Sequence, residues 1–269
     1  MKRFICLQHS RTEMAAQRRA LATADMRDAI LSTRGVKEID LSEEEIIVES
    51  LRTCVRSWHI VDDLKVCLLK NNTNYFFITS DDPAIVTNRL YIQKMKQQKF
   101  GLGSAGTLLI LPLTPNICAL CFDGNVNTGG WAILNKRSDV SAINEHQYLN
   151  CASNIYFSNW AELPRIAAEF RDTASRRLAQ PWELLVADLV AADEFREMYK
   201  VVPRDKATQA KRSMINLSLV YPVPCRWPSV IRYRSNPFGF TNGSSVGVIR
   251  KSVAEAYMLG GPPFEKKYL

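Results

Sequence analysis

"TLLILPLTPNICALCFD", residues 107–123, holds two short apolar runs joined around Thr114-Pro115-Asn116. A proline flanked by turn formers stops one strand and lets the chain reverse, so the stretch predicts a hairpin. Upstream, "LKVCLLK" (64–70) and "YFFITS" (75–80) are β-rich runs separated by the turn-forming "NNTN" (71–74). That arrangement predicts a second hairpin. Between the two pairs lie a Lys/Gln run, Gln93 to Lys99, and "GLGSAG" (101–106). Its glycines resemble a phosphate loop, but a strand rather than a helix follows, so the stretch reads as a mobile connector.

Helical spacing frames these strands. In residues 10–35, Met14, Leu21, Met26 and Ile30 share a face, with Ser10 or Thr12 as N-cap and Gly35 as the stop. In residues 41–58, Ser42 and Glu45 form a capping box, and Ile47, Leu51, Cys54, Val55 and Trp58 share a stripe. Glu43 to Glu45 match the positive end of the helix dipole, which explains them without a metal. Further helices are predicted within 141–158, 161–179 and 182–200. From Val201 onward, seven prolines divide the chain into extended pieces. The expected class is therefore α+β: an antiparallel sheet of two hairpins packed by helices. A main domain spans 1–200, and a Pro-rich, basic, irregular C-terminal extension spans 201–269, packed on or appended to it.

The 269 residues are 46% hydrophobic and 23% charged, the balance of a folded globular protein rather than a disordered one. No window reaches the roughly 18 apolar residues of a membrane span, and the Phe4–Leu7 run is too short for a secretory signal. The expected location is cytoplasmic, with no membrane partner. Seven cysteines without framework spacing fit a reducing compartment. Cys118 and Cys121 form the one C-x-x-C, but on a strand positions i and i+3 face opposite ways, so buried structural thiols are expected. The sequence calls for no metal and no cofactor. The net charge of +8 is uneven: from Arg196 onward 13 basic residues face 4 acidic ones, while the preceding chain is close to neutral.

Four separated motifs resemble one bacterial family, domain of unknown function 4238. Gln8, Arg11 and Thr12 match its Gln-x-x-Arg-Thr helix start, and Phe77, Thr79, Ser80, Asp81 and Pro83 match its Phe-x-Thr-Ser-Asp-Asn-Pro strand end. Pro112 to Pro115 match its Pro-Leu-Ser/Thr-Pro hairpin, and Asn144 its Asn-initiated helix; order and spacing agree over about 1–160. Asp82 stands where the family usually has Asn, and Glu13 where it often has Pro. The resemblance also implies an additional N-terminal segment with an Asn-His-x-x-Pro-x-x-x-Leu-like motif, which this sequence does not show. If that histidine belongs to an active site, the chain is expected to be incomplete or inactive.

The Thr79-Ser80-Asp81-Asp82-Pro83 corner is the main candidate site. Polar residues turned by a proline after a strand are well placed to face a cleft. There Asp81 would act as general base, Ser80 and Thr79 as donors and Arg11 as an anion clamp, with Gln8 and Asn144 at the substrate. This reading predicts a hydrolase acting on a phosphate-bearing or nucleic-acid substrate. Asp81 and Asp82 diverge as strand neighbours, which disfavours a shared Mg²⁺. The same residues are also good turn chemistry, an Asp side chain bonding the backbone and a proline ending the ladder. A rival reading uses the basic end: Arg226, Arg232 and Arg234 interleave with Trp227 and Tyr233, the pattern of a non-catalytic nucleic-acid or protein-partner surface. The alternation Ile231 to Arg234 equally describes an edge strand with a solvated face.

Overall fold

A computed structural model describes residues 1–34, 43–192, 197–203, 213–257 and 263–269. The predicted hairpin at its centre is present. Strands β4 (Thr107–Thr114) and β5 (Ile117–Phe122) pair antiparallel, and Thr114 Oγ1 accepts the Asn116 N–H across the turn. β1 (Lys65–Asn71) lies beside β5, antiparallel, and not beside the 75–80 run. The expected second hairpin is therefore corrected. The sheet order is β3-β4-β5-β1-β7, with β3 at Ile85–Asn88 and β7 at Ala132–Leu134, the latter parallel to β1. Only Thr79–Ser80 (β2) is a strand within 75–80, and it pairs with β8 (Ile155–Tyr156). A further short strand, β6, is Asn127–Thr128.

Both sheet faces are covered, which explains why β4 and β5 are nearly continuous in apolar residues. On one face Leu109, Leu111, Ala119 and Cys121 pack with Ile5 and Cys6 of α1 (Lys2–Arg11) and Cys54 of α3 (Glu43–Ser57). On the other, Leu108, Ile110, Cys118 and Leu120 pack with Val140 and Ile143 of α4 (Arg137–Asn150). Cys118 and Cys121 thus sit on opposite faces, buried and unpaired as disulfides. Burial pushes the Cys67 thiol up to about 11 and, with Cys54 beside it, Cys6 to about 12.

The N-terminal helical region is two helices, α1 and α2 (Glu13–Arg34), separated at extended Thr12, whose Oγ1 accepts the Ala15 N–H as an N-cap. Leu21, expected inside, is 58% exposed. Ala15, Ala22 and Ala29, seven apart, are buried, and Met26 packs against the Ala29 cluster; the side chains of Met14 and Ile30 lie outside the described residues. The Ser42 capping box and Gly35 lie outside the described residues. The 161–179 stretch holds α5 (Leu163–Ala174), as expected.

The predicted helix over 182–200 is corrected. Trp182–Ala192 is β9, paired with β10 (Glu197–Val202) and β11 (Ser213–Leu219). Leu184 and Val186 point inward with period two and meet Ala29 of α2. Two flanking strands supply the pairing that overrides the helical propensity of Leu, Ala and Glu. The region beyond Val201 is more regular than expected: it carries β11, β12 (Arg232–Tyr233), β13 (Phe238–Thr241), α6 (Lys251–Tyr257) and β14 (Glu265–Tyr268). Fully buried Arg250 anchors it, donating from Nε to both Asp63 carboxylate oxygens at 2.8–3.0 Å.

The glycine connector is packed, not loose: residues 103–106 are buried. Gly106 has φ +81°, and a Cβ there would lie 3.0 Å from Asn88 Oδ1 and Leu90 Cβ. Its N–H is held by Asp123 Oδ2 at 2.8 Å. Among the described residues no helix is long and apolar enough to cross a membrane.

Candidate functional site

Every residue of α4 from Asp139 to Leu149 is buried, although most of them are polar. A polar helix inside a protein needs a partner for each group it brings. Asn144 and Gln147, three apart and so on one face, find theirs in the backbone of 76–83. Asn144 Oδ1 accepts the Ile78 N–H at 3.1 Å while its Nδ2 donates to Phe76 O at 3.0 Å. Gln147 Nε2 donates to Pro83 O at 2.9 Å, and its Oε1 accepts from Ser80 Oγ at 2.8 Å. These amides supply the hydrogen bonds that the short β2 lacks.

Asp81 faces the loop after α4. Its carboxylate accepts the N–H groups of Ala152, Ser153 and Asn154 at 2.8, 2.8 and 2.9 Å. Asp82 is 2% exposed and accepts from Thr12 Oγ1 at 3.2 Å. The opening helices therefore do meet the corner, through Thr12 and His9. His9 Nδ1 lies 3.0 Å from Ala84 O. A carbonyl only accepts, so His9 Nδ1 carries a proton.

Beside this junction is a cavity of about 320 Å³, walled by His9, Ser153, Arg177, Trp182 and Tyr221 among others. Arg177 Nη2 donates to the carbonyls of Cys151 and, at 2.8 Å, Ala152. Those carbonyls belong to the loop whose N–H groups Asp81 holds. Trp182 Nε1 donates to Asp25 Oδ2 at 3.4 Å. The cavity thus combines a cation, an imidazole and an indole, each with one side fixed by the scaffold.

The residues singled out from sequence divide into two groups. Ser80, Asp81 and Asn144 gather around α4. Exposed Arg11 donates from Nε to Gln8 Oε1 at 2.6 Å, within its own helix. Thr79 lines a separate groove of about 210 Å³ with Pro112, Pro115, Tyr156 and Phe157.

In the basic C-terminal set, Arg226 donates to Ser141 Oγ and lies 3.7 Å from Glu145 Oε2. Trp227 packs against both core clusters, edge-on to His146 at 5.0 Å. Arg89 and Lys94 lie over the Tyr233 ring at 5.1 and 4.8 Å. Arg232 donates to Ser229 O at 3.4 Å, and Arg234 to Gly124 O. β12 pairs with β6, leaving Arg232 and Arg234 exposed.

Burial also tunes groups beside the corner. His146, donating from Nδ1 to Ala142 O at 2.8 Å, is held below its ordinary value by desolvation. Tyr75 is pushed up to about 12, first by burial and then by its hydrogen bond to Glu169. Among the described residues no three His, Cys, Asp or Glu side chains gather as a metal site.

The family model described as "Protein of unknown function (DUF4238)" matches residues 1–160. The chain belongs to this family. No curated protein and no solved structure matches it. The matched span contains the corner, α4 and His9, and it stops short of Arg177 and Trp182.

From the sequence His9 cannot be placed beside the corner, and Gln147, Arg177 and Trp182 are not singled out. Gln147 was within reach, since it stands one helical turn after Asn144. His9 offered only its place in the last turn of a helix not foreseen, and Arg177 and Trp182 offered no motif.

Proposed function

We propose that the protein is a hydrolase of phosphate-bearing substrates, with its reaction centre in the cavity beside the corner rather than on Ser80 and Asp81. The observation that carries this reading is that His9 and Arg177 line one cavity, each oriented by backbone carbonyls. Arg177 attracts phosphate oxygens with a planar, always-charged group. His9 is the group that takes a proton from water as the water oxygen bonds to phosphorus. The ester P–O bond then breaks, and the same proton passes to the leaving alkoxide. Trp182 flanks the organic portion of the substrate. In this scheme Ser80, Asp81, Asn144 and Gln147 are positioning residues, and Asp81 acts through the 152–154 loop that also anchors Arg177.

The rival binding role of the C-terminal set finds less support, because the Trp227 and Tyr233 rings are already engaged in packing and cation contacts. The test is turnover of p-nitrophenyl phosphate, bis(p-nitrophenyl) phosphate and AMP by the full chain. Wild-type turnover is expected on at least one of them. His9→Gln should lower kcat about 10²–10⁴-fold, the usual contribution of a general base, without moving the urea midpoint. Arg177→Ala should chiefly raise KM. Absence of wild-type turnover on all three, or an unaffected His9→Gln, would overturn the assignment.

A further inference from the structure

A second, larger hollow of about 1,030 Å³ shares His9, Leu219, Val220 and Tyr221 with the first cavity. Lys96, Gln98, Lys99, Glu183, Asn216 and Ser218 line it, with Lys99 and Glu183 ion-paired. Its lip is the Lys/Gln run, which the phosphate-hydrolase reading leaves without a role. The run is built, not slack. Leu90–Met95 form a π-helical turn that ends at Lys96 with φ +56°, the one left-handed non-glycine among the described residues. π-Turns and left-handed side-chain-bearing residues are costly and concentrate at functional sites. Beyond Lys96 the Tyr221 N–H donates to Gln98 O at 2.9 Å, and Lys99 bridges to Val220. Phe100 stacks on Tyr221 at 4.2 Å and 10°. The exposed Lys96–Lys99 side chains are thereby tethered along the same segment that walls the small cavity.

We infer that the substrate is a single-stranded phosphodiester chain, one unit of which enters the His9 cavity while the neighbouring units lie in the larger groove. This deepens the hydrolase reading and rests on it for the cleavage step. The groove supplies what such a chain requires: the Lys96 ammonium for a phosphate, Lys99 being ion-paired with Glu183 on the same lining, and amides and hydroxyls for sugars and base edges. The small cavity is near the lower end of small-ligand sites and the larger one near the upper end, roughly 300 and 1,000 Å³. Amides and hydroxyls alone would equally suit a neutral sugar chain. Lys96, exposed on the lip, and the net positive charge of the whole chain favour the polyanion.

The experiment is fluorescence anisotropy of a labelled single-stranded 12-mer, as RNA and as DNA, with AMP as competitor, at 50 and 200 mM salt. The 12-mer should bind at least tenfold tighter than AMP and weaken several-fold at the higher salt. Lys96→Glu should reduce 12-mer affinity about tenfold and leave AMP affinity and p-nitrophenyl phosphate turnover unchanged. Lys96→Gly suits the left-handed backbone and keeps the fold, so it serves as the second variant, with a smaller loss in the same direction. A 12-mer that binds no tighter than AMP, or whose binding follows Arg232→Ala and Arg234→Ala but not the Lys96 variants, overturns the inference and leaves the phosphoester reading standing. Lys96-dependent 12-mer binding with no turnover of any phosphoester supports the groove and overturns the hydrolase assignment instead.

Discussion

The Ser80–Pro83 corner and the cavity beside it lie within a few residues of each other and differ in how their polar groups are used. At the corner, hydroxyl, carboxylates and backbone all find partners inside the protein: Ser80 with Gln147, Asp81 with three loop amides, Asp82 with Thr12. In the cavity, His9, Arg177 and Trp182 are anchored through Ala84 O, the Cys151 and Ala152 carbonyls and Asp25 respectively, and all three line the hollow. The residues that carry the family motifs therefore build a junction, and the proposal places the chemistry on cavity residues next to it, His9 within the matched span and Arg177 and Trp182 beyond it. A recognisable motif marks where a fold must be held together as readily as where it reacts.

The largest expected effect lies on the cavity side. The kcat loss expected for His9→Gln corresponds to about 3–5 kcal/mol of transition-state stabilisation, with no change in the urea midpoint. Asp81→Ala should do the reverse. It strips a charged acceptor from three N–H groups and should cost about 2–3 kcal/mol in urea unfolding. Its turnover should fall only as far as the 152–154 loop loosens Arg177, and Asp81→Asn should rescue part of the stability. Asn144→Leu orphans a buried N–H and a buried carbonyl at 76–78, an expected loss of about 2 kcal/mol. Ser80→Ala removes one neutral hydrogen bond and should cost about 1 kcal/mol while leaving turnover intact. Inactivation by that change without destabilisation would return the reaction to the corner.

The smallest effect is a pH dependence on the inner face of α4. Burial depresses the His146 pKa below its usual 6.5, so in that window the unfolded chain binds more protons than the folded one. Stability should therefore be lost as pH falls from about 6.5 through the folded pKa. His146→Gln should flatten that slope in urea unfolding series run from pH 7.5 downward, while the corner variants should retain it.

How far the sequence revealed this arrangement follows from which interactions are local. The β4–β5 hairpin was legible because its turn chemistry and apolar runs lie within 17 consecutive residues. Thr12 was legible as a cap for the same reason. The partner of β1 was not, because pairing with β5 rather than with the nearer 75–80 run is decided by the whole sheet. The 182–192 strand was misread as a helix because Leu, Ala and Glu suit either period until neighbouring strands intervene. At the site, the corner residues were found but their partners were not. Gln147 lies 67 positions from Ser80, and the loop amides lie more than 70 from Asp81. The cavity escaped notice altogether, since Arg177 and Trp182 reach it from beyond the signature region.

The division of labour between corner and cavity is tested most directly by mapping amide and indole NMR shifts during titration with AMP. Changes centred on His9, Ala152, Ser153, Arg177 and the Trp182 indole, with Ser80 and Asp82 nearly unmoved, are the predicted result. Shifts centred on residues 79–83 with the cavity wall silent would contradict it.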